Sequence, residues 1–124
     1  MAKKILVVDD DLDILKVIKL HLDSGGFETI VAADGEKAFA LVEKMKPDLI
    51  IADLLMPNLN GWWLAKKLKE DPQYKKIPMI MLSALLTNDS PPAERELGDY
   101  YMAKPVKFEK LLEKIREFLN KSKS

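Results

Sequence analysis

Two spacings of apolar residues alternate along the chain. Runs that are apolar on successive residues, Ile5-Leu6-Val7-Val8, Leu49-Ile50-Ile51-Ala52 and Met79-Ile80-Met81-Leu82, suit parallel strands covered on both faces. Glu28 to Ala33 reads as a strand that is less uniformly apolar and so nearer a sheet edge, and Tyr100-Tyr101-Met102-Ala103 as a short fifth strand. Between and after these runs, apolar residues recur every three or four positions. The sets are Ile14, Leu15, Ile18 and Leu22; Ala38, Leu41, Val42 and Met45; Leu64, Ala65 and Leu68; and Phe108, Leu111, Leu112, Ile115, Phe118 and Leu119. That is the spacing of one helix face. Asp10 or Asp11 is placed to cap the first helix and Gly25-Gly26 to stop it. Asp34-Gly35 opens the second helix and Pro47 ends it, and Asp71-Pro72 ends the third.

Strand and helix alternate five times, which predicts a three-layer α/β domain around a parallel sheet. Right-handed crossovers restrict its topology to a few doubly wound orders. The segment after Ser83 is irregular. Asn88-Asp89-Ser90-Pro91-Pro92 excludes a helix through the proline pair, so the fourth helix is expected to be shortened to Ala93 to Leu97. The domain is expected to cover residues 1–120, with 121–124 as a frayed tail.

With 124 residues, one domain buries roughly two-thirds of its unfolded surface and needs no covalent staples. The absence of Cys excludes disulfides, thiolate metal sites and a Cys nucleophile, and fits a reducing compartment. Twenty acidic residues balance 20 basic ones, so global charge gives no sign of nucleic-acid binding. The apolar run after Met1-Ala2-Lys3-Lys4 meets Asp9 too soon for a signal segment or a membrane span. A cytoplasmic location without membrane contact is expected. The last helix is basic, with seven Lys/Arg against three Glu from Lys104 to Ser124. Its i,i+4 interleaving of Glu and Lys reads as a solvated face.

Candidate chemistry sits where strands end. The first ends in Asp9-Asp10, the third in Asp53, the fourth in Ser83 and the fifth in Lys104. In a parallel sheet these ends share one edge, and in the order 2-1-3-4-5 the first and third strands flank the topological switch point. Asp9, Asp10 and Asp53 would then cluster. Three carboxylates in a small space call for a cation. Oxygen-only donors point to a hard ion, Mg²⁺ first, with Mn²⁺ as a substitute. A Lys and a hydroxyl beside such an ion suit a phosphoryl group, with Lys104 neutralising one oxygen and Ser83 donating to another. Asp53, the most central carboxylate, is the natural nucleophile for an aspartyl phosphate.

The chain resembles the receiver domain of two-component response regulators over essentially its whole length. Val7-Val8-Asp9-Asp10 resembles the acidic pair of that family. Asp53-Leu54-Leu55-Met56-Pro57-Asn58-Leu59-Asn60-Gly61 is similar to its D-x-x-M-P-x-x-x-G motif. Met81-Leu82-Ser83-Ala84 is similar to its switch segment, and Tyr101 with Lys104-Pro105 to its rotating aromatic and Lys-Pro pair. The resemblance implies a flavodoxin-like (βα)5 fold with a five-stranded sheet of order 2-1-3-4-5. It implies Mg²⁺ held by Asp9, Asp10, Asp53 and the Leu55 main-chain carbonyl. It further implies that Asp53 takes a phosphoryl group from a phosphohistidine of a sensor histidine kinase or histidine phosphotransfer protein, and that Ser83 and Tyr101 act as the switch. The surface of the fourth helix, fifth strand and fifth helix would be the readout, and the Lys104–Pro105 peptide is typically cis in this family. Such a domain is no enzyme beyond its own phosphorylation and dephosphorylation, and is a monomer or a phosphorylation-dependent dimer.

Some expectations are particular to this chain. The last helix uses up the sequence, so a stand-alone receiver acting on a protein target is expected, with phosphoryl relay or excision from a longer regulator as alternatives. The segment from Thr87 to Leu97 is expected to be either mobile or a rigid loop. Leu55 and Leu85 are apolar at positions that, by the resemblance, line the site mouth, and they predict slow self-dephosphorylation. Helical phase points Trp63 outward, and His21 reads as an ordinary boundary residue. Two other classes fit the residues less well. A Mg²⁺-dependent phosphatase of haloacid-dehalogenase type would place its paired Asp residues after a single strand. A flavin-binding flavodoxin would need a Ser/Thr/Gly-rich loop where this chain has Asp9-Asp10-Asp11.

Overall fold

The computed structural model describes residues 2–53, 61–83 and 99–121. Among them, five strands and four helices follow in order. These are β1 (Lys4–Val8), α1 (Leu12–Ser24), β2 (Glu28–Ala32), α2 (Gly35–Met45), β3 (Leu49–Asp53), α3 (Gly61–Lys69), β4 (Met79–Ser83), β5 (Tyr100–Ala103) and α4 (Phe108–Lys121). The helix α4 is the one that the sequence pattern makes the fifth. Leu55, Leu85, Pro91-Pro92, the shortened fourth helix and the tail from Ser122 lie outside the described residues.

The sheet is parallel throughout, in the order β2-β1-β3-β4-β5. All residues of β3 and β4 are buried, whereas in β2 only the last residue, Ala32, is buried and the other four are exposed or half-buried. The contrast follows from place, since β3 and β4 have helices over both faces and a strand on each side, while β2 is an edge. Alternate residues of each strand feed two cores. One face joins Leu6, Val8, Ile50, Ala52, Met79 and Met81 to α2 and α3 through Ala38, Val42, Leu64 and Leu68. The other joins Ile5, Val7, Leu49, Ile51, Ile80 and Leu82 to α1 and α4 through Leu15, Ile18, Leu22, Leu111 and Ile115.

Local chemistry sets the helix ends. The Asp11 carboxylate caps α1, accepting from the N–H groups of Asp13 and Ile14, and Asp34 caps α2 through the N–H of Lys37. At the C-cap of α2, Lys46 adopts the left-handed conformation, with φ of 49°. A Cβ is strained there, so Lys46→Gly should stabilise the fold by about 0.5–1 kcal/mol in urea unfolding; a loss of stability would show that the lysine side chain outweighs the backbone relief.

One ionic clasp ties the end of α3 to the starts of β4 and β5. Lys69 Nζ donates to the carbonyls of Lys75 and Ile77, each at 3.2 Å, and to Asp99 Oδ2 at 2.9 Å. The same Asp99 oxygen accepts from the Met79 N–H at 2.8 Å. The starts of β4 and β5 are thereby pinned together just before their paired residues Ile80 and Tyr100.

Two side chains differ from or refine what periodicity implies. Trp63 is half-buried rather than outward. It meets Phe39 of α2 edge-on at 6.3 Å and packs against the core. The neighbouring helix covers a flank that phase within α3 alone cannot reveal. His21 is a boundary residue, with Nδ1 2.9 Å from the Val17 carbonyl and its ring stacked on Phe108 at 3.8 Å. On α4, Glu117 lies 3.2 Å from Lys114 and 3.6 Å from Lys121, as a solvated charged face does.

Candidate functional site

The strand register assembles the site. Val8 pairs with Ala52, so Asp9 and Asp53 leave the sheet side by side at the carboxyl ends of β1 and β3. Ser83 pairs with Ala103, so Ser83 and Lys104 leave it together at the ends of β4, the neighbour of β3, and β5. The Lys104 N–H donates to the Ser83 carbonyl at 3.0 Å, holding the chain just before the Lys104–Pro105 peptide, which is cis.

Lys104 reaches back across this edge. Its Nζ donates to Asp53 Oδ2 at 3.1 Å and to Asp9 Oδ2 at 3.2 Å. The other Asp9 oxygen, Oδ1, accepts from the Asp11 N–H at 2.9 Å. From the sequence Asp11 is only a candidate cap; in the fold its backbone also orients a carboxylate of the site. The signal was a third consecutive Asp, whose carboxylate draws the chain into the first turn of α1. The order of burial is not legible in the repeated letters either. Asp9 is 1% exposed and Asp53 9%, while Asp10 faces solvent.

One carboxylate oxygen from each of Asp9, Asp10 and Asp53 lies within 4.8 Å of the others. Three anions this close repel one another. The single ammonium of Lys104 offsets one charge, leaving the cluster net negative. An all-oxygen donor set beside solvent fits a hard divalent ion such as Mg²⁺, which keeps several waters and needs few protein ligands. Leu55, the further ligand implied by the family resemblance, lies outside the described residues.

Electrostatics follow from burial. Desolvation pushes the Asp9 carboxyl above its ordinary value, against the opposing effects of the Asp11 N–H and Lys104, and the nearby Asp53 charge adds to the rise. For Lys104, burial alone would depress the ammonium, but its hydrogen bonds and charge contacts with Asp53 and Asp9 outweigh that and hold it above the ordinary range. A carboxyl with a raised native pKa binds its proton more readily folded than unfolded. Its contribution to stability is therefore largest below the ordinary value of 3.8 and is lost as pH rises through the native value. At neutral pH the ionised Asp9 strains the fold. Asp9→Asn should thus raise the melting temperature of the metal-free protein at pH 7. A lower melting temperature without metal would contradict the charge-repulsion account.

Ser83 and Tyr101 complete the edge. Ser83 is 2% exposed and Tyr101 3%. Tyr101 pairs with Met81 in the sheet, and its side chain belongs to the α2/α3 core. The structure thus brings Asp9, Asp10, Asp53 and Lys104 into one cluster, with Ser83 at its border and Tyr101 one layer behind.

A parallel sheet of order 2-1-3-4-5, with carboxylates at its switch point and a lysine bridging them, defines the receiver class of signalling module. Comparison with known proteins agrees. The response regulator receiver domain family matches over residues 5–116, and the chain belongs to that family. It is 37% identical over 98% of its length to the alkaline phosphatase synthesis transcriptional regulatory protein PhoP of Bacillus subtilis, and 32% identical over 96% to the DNA-binding dual master transcriptional regulator RpaA of Synechocystis. It spans about half the length of these relatives, 50% in each case. Among solved structures, a CheY-like receiver domain protein from Methanospirillum hungatei is 30% identical, with a TM-score of 0.85 over 99% of this chain and 98% of that one. Such relatives are two-component signalling proteins and not classical enzymes. Among the described residues, no helix is long and apolar enough to cross a membrane.

Proposed function

We propose that Asp53 is the phosphoacceptor of a two-component phosphorelay, taking a phosphoryl group from a phosphohistidine of a sensor histidine kinase or phosphotransfer protein. The observation that carries this is the single Lys104 ammonium bonded to both Asp9 and Asp53 at the sheet's carboxyl edge. In the transfer, an Asp53 carboxylate oxygen forms a bond to phosphorus as the phosphorus–nitrogen bond breaks, and the imidazole leaves with the electron pair and takes a proton. Lys104 stands where it can exchange its bond to Asp53 for one to a phosphoryl oxygen. Asp9, Asp10 and Asp53 would hold Mg²⁺, which when bound supplies positive charge against the phosphoryl oxygens. Phosphohistidine donors need a docking face. An apolar cavity of about 560 Å³, lined by Ile14, Val17, Pro105 and Val106 among others, adjoins Lys104 and suits the apolar flank of the donor protein.

Signalling would follow from new acceptors at Asp53. The Ser83 hydroxyl turns toward the phosphoryl group, and the Tyr101 ring shifts with it, biasing two states of the surface formed by β5 and α4. A ligand biases such an equilibrium only by its differential contacts. The proposed output is protein contact by that surface, by a monomer or a phosphorylation-dependent dimer. A haloacid-dehalogenase-like phosphatase is the weaker reading, because the central carboxylate ends β3 whereas the Asp pair follows β1.

Incubation with acetyl phosphate and Mg²⁺, read by intact mass, tests the proposal. One added phosphoryl group that disappears when EDTA replaces Mg²⁺ is expected. No addition from acetyl phosphate or from a panel of phosphorylated histidine kinases would overturn it.

A further inference from the structure

Gly61, the first residue of α3, lies directly over the end of β3. A Cβ built at this position would collide with the main-chain carbonyl oxygen of Asp53. It would also sit 3.1 Å from the Asp53 carbonyl carbon and 2.8 Å from Met81 Cε. The backbone conformation does not require glycine, since Gly61 stands within a right-handed helix. Helix propensity opposes glycine here, because alanine is the better helix former. What excludes a side chain is therefore the approach of helix and strand at the backbone of the proposed phosphoacceptor.

We infer that Gly61 is a positioning residue for Asp53: its bare Cα lets α3 seat on the Asp53 main chain, and that contact fixes where the Asp53 carboxylate meets Lys104 and Asp9. The two clashes that a side chain introduces differ in kind. Met81 Cε is the end of a flexible side chain and yields readily. The Asp53 carbonyl belongs to a strand hydrogen-bonded on both sides, by β1 and β4. Relief there must move the strand end or the helix start, and the Asp53 carboxylate shares its residue with the displaced carbonyl. Displacements well under an ångström at reacting groups slow chemistry severalfold or more, and about one ångström can cost a hundredfold. This inference rests on the proposed role of Asp53.

The test compares Gly61→Ala, Met81→Ala and the double variant with the wild type. Phosphorylation by acetyl phosphate is measured at saturating Mg²⁺, at a temperature where each protein is folded by circular dichroism. The rate per folded molecule for Gly61→Ala should fall at least about tenfold. The Met81→Ala change should not restore it, because the backbone collision remains. A merely structural role would lower the melting temperature but leave this rate unchanged. A Gly61→Ala rate within twofold of wild type, or its recovery in the double variant, would overturn the inference. Should Gly61→Ala not fold, the wild-type Gly61 amide NMR signal decides. It should shift on Mg²⁺ addition, and an unmoved signal beside shifting Asp9 and Asp10 amides would overturn the inference. Failure of the wild type itself to become phosphorylated would instead bring down the reading of Asp53.

Discussion

Replacing Asp53 by asparagine is expected to abolish Mg²⁺-dependent phosphorylation, by at least about a thousandfold, the scale on which loss of a nucleophile acts. Asparagine is nearly isosteric and can still accept a hydrogen bond from Lys104, but its amide oxygen is a poor nucleophile. The fold should persist or gain stability. Asp53 is one of three carboxylates within 4.8 Å, and removing its charge leaves Lys104 beside the buried Asp9 at 3.2 Å. A melting temperature equal to or above that of the wild type, together with no phosphoryl uptake, is the predicted pair of results. Mg²⁺-dependent labelling of the same peptide in the variant would remove Asp53 from its role.

The second large effect falls on Lys104. Its side chain is 17% exposed, and its two partners are less exposed still, Asp9 at 1% and Asp53 at 13%. Lys104→Met keeps much of the aliphatic stem that lines the neighbouring cavity. It removes the ammonium that bonds to both largely buried carboxylates. Breaking such a pair costs roughly 3 kcal/mol or more, because the desolvation of the remaining charges is no longer offset. The metal-free variant should therefore melt well below the wild type at neutral pH. It should recover on acidification, as protonation relieves the repulsion, and on addition of Mg²⁺. In the wild type the sign at high pH is fixed by the raised Lys104 value. Its stabilising contribution is fully present below the ordinary 10.5 and is lost as pH rises through the native value. An unchanged melting temperature for Lys104→Met would mean that the ionic cluster does little for the fold. Phosphorylation by acetyl phosphate should also slow, since no other cation among the described residues bonds to both Asp9 and Asp53.

How much of this was legible in the sequence differs by element. The strands β1, β3 and β4 announce themselves because burial on both faces requires unbroken apolar runs. The capping residues Asp11 and Asp34 are legible because few side chains satisfy a helix start. The convergence of Asp9, Asp10, Asp53 and Lys104 follows from parallel topology, which brings residues far apart in sequence to one edge. Trp63 was misplaced because its burial depends on Phe39, on another helix. The inequality of Asp9 and Asp10 was hidden because only Asp9 is drawn inward, by the Asp11 N–H and the Lys104 ammonium. The seat of Gly61 was hidden for a similar reason. In the sequence Gly61 is only the last residue of the D-x-x-M-P-x-x-x-G motif, and only the approach of α3 to the Asp53 carbonyl gives it a physical meaning.

The central claim is that Asp53 and no other carboxylate of the cluster carries the phosphoryl group. Borohydride reduces an acyl phosphate to an alcohol, so a phosphorylated aspartate becomes homoserine. Peptide mass spectrometry after acetyl phosphate, Mg²⁺ and borohydride should find homoserine at position 53 alone, and none when Mg²⁺ is withheld. Homoserine at position 9 or 10 instead, or conversion independent of Mg²⁺, would contradict the account.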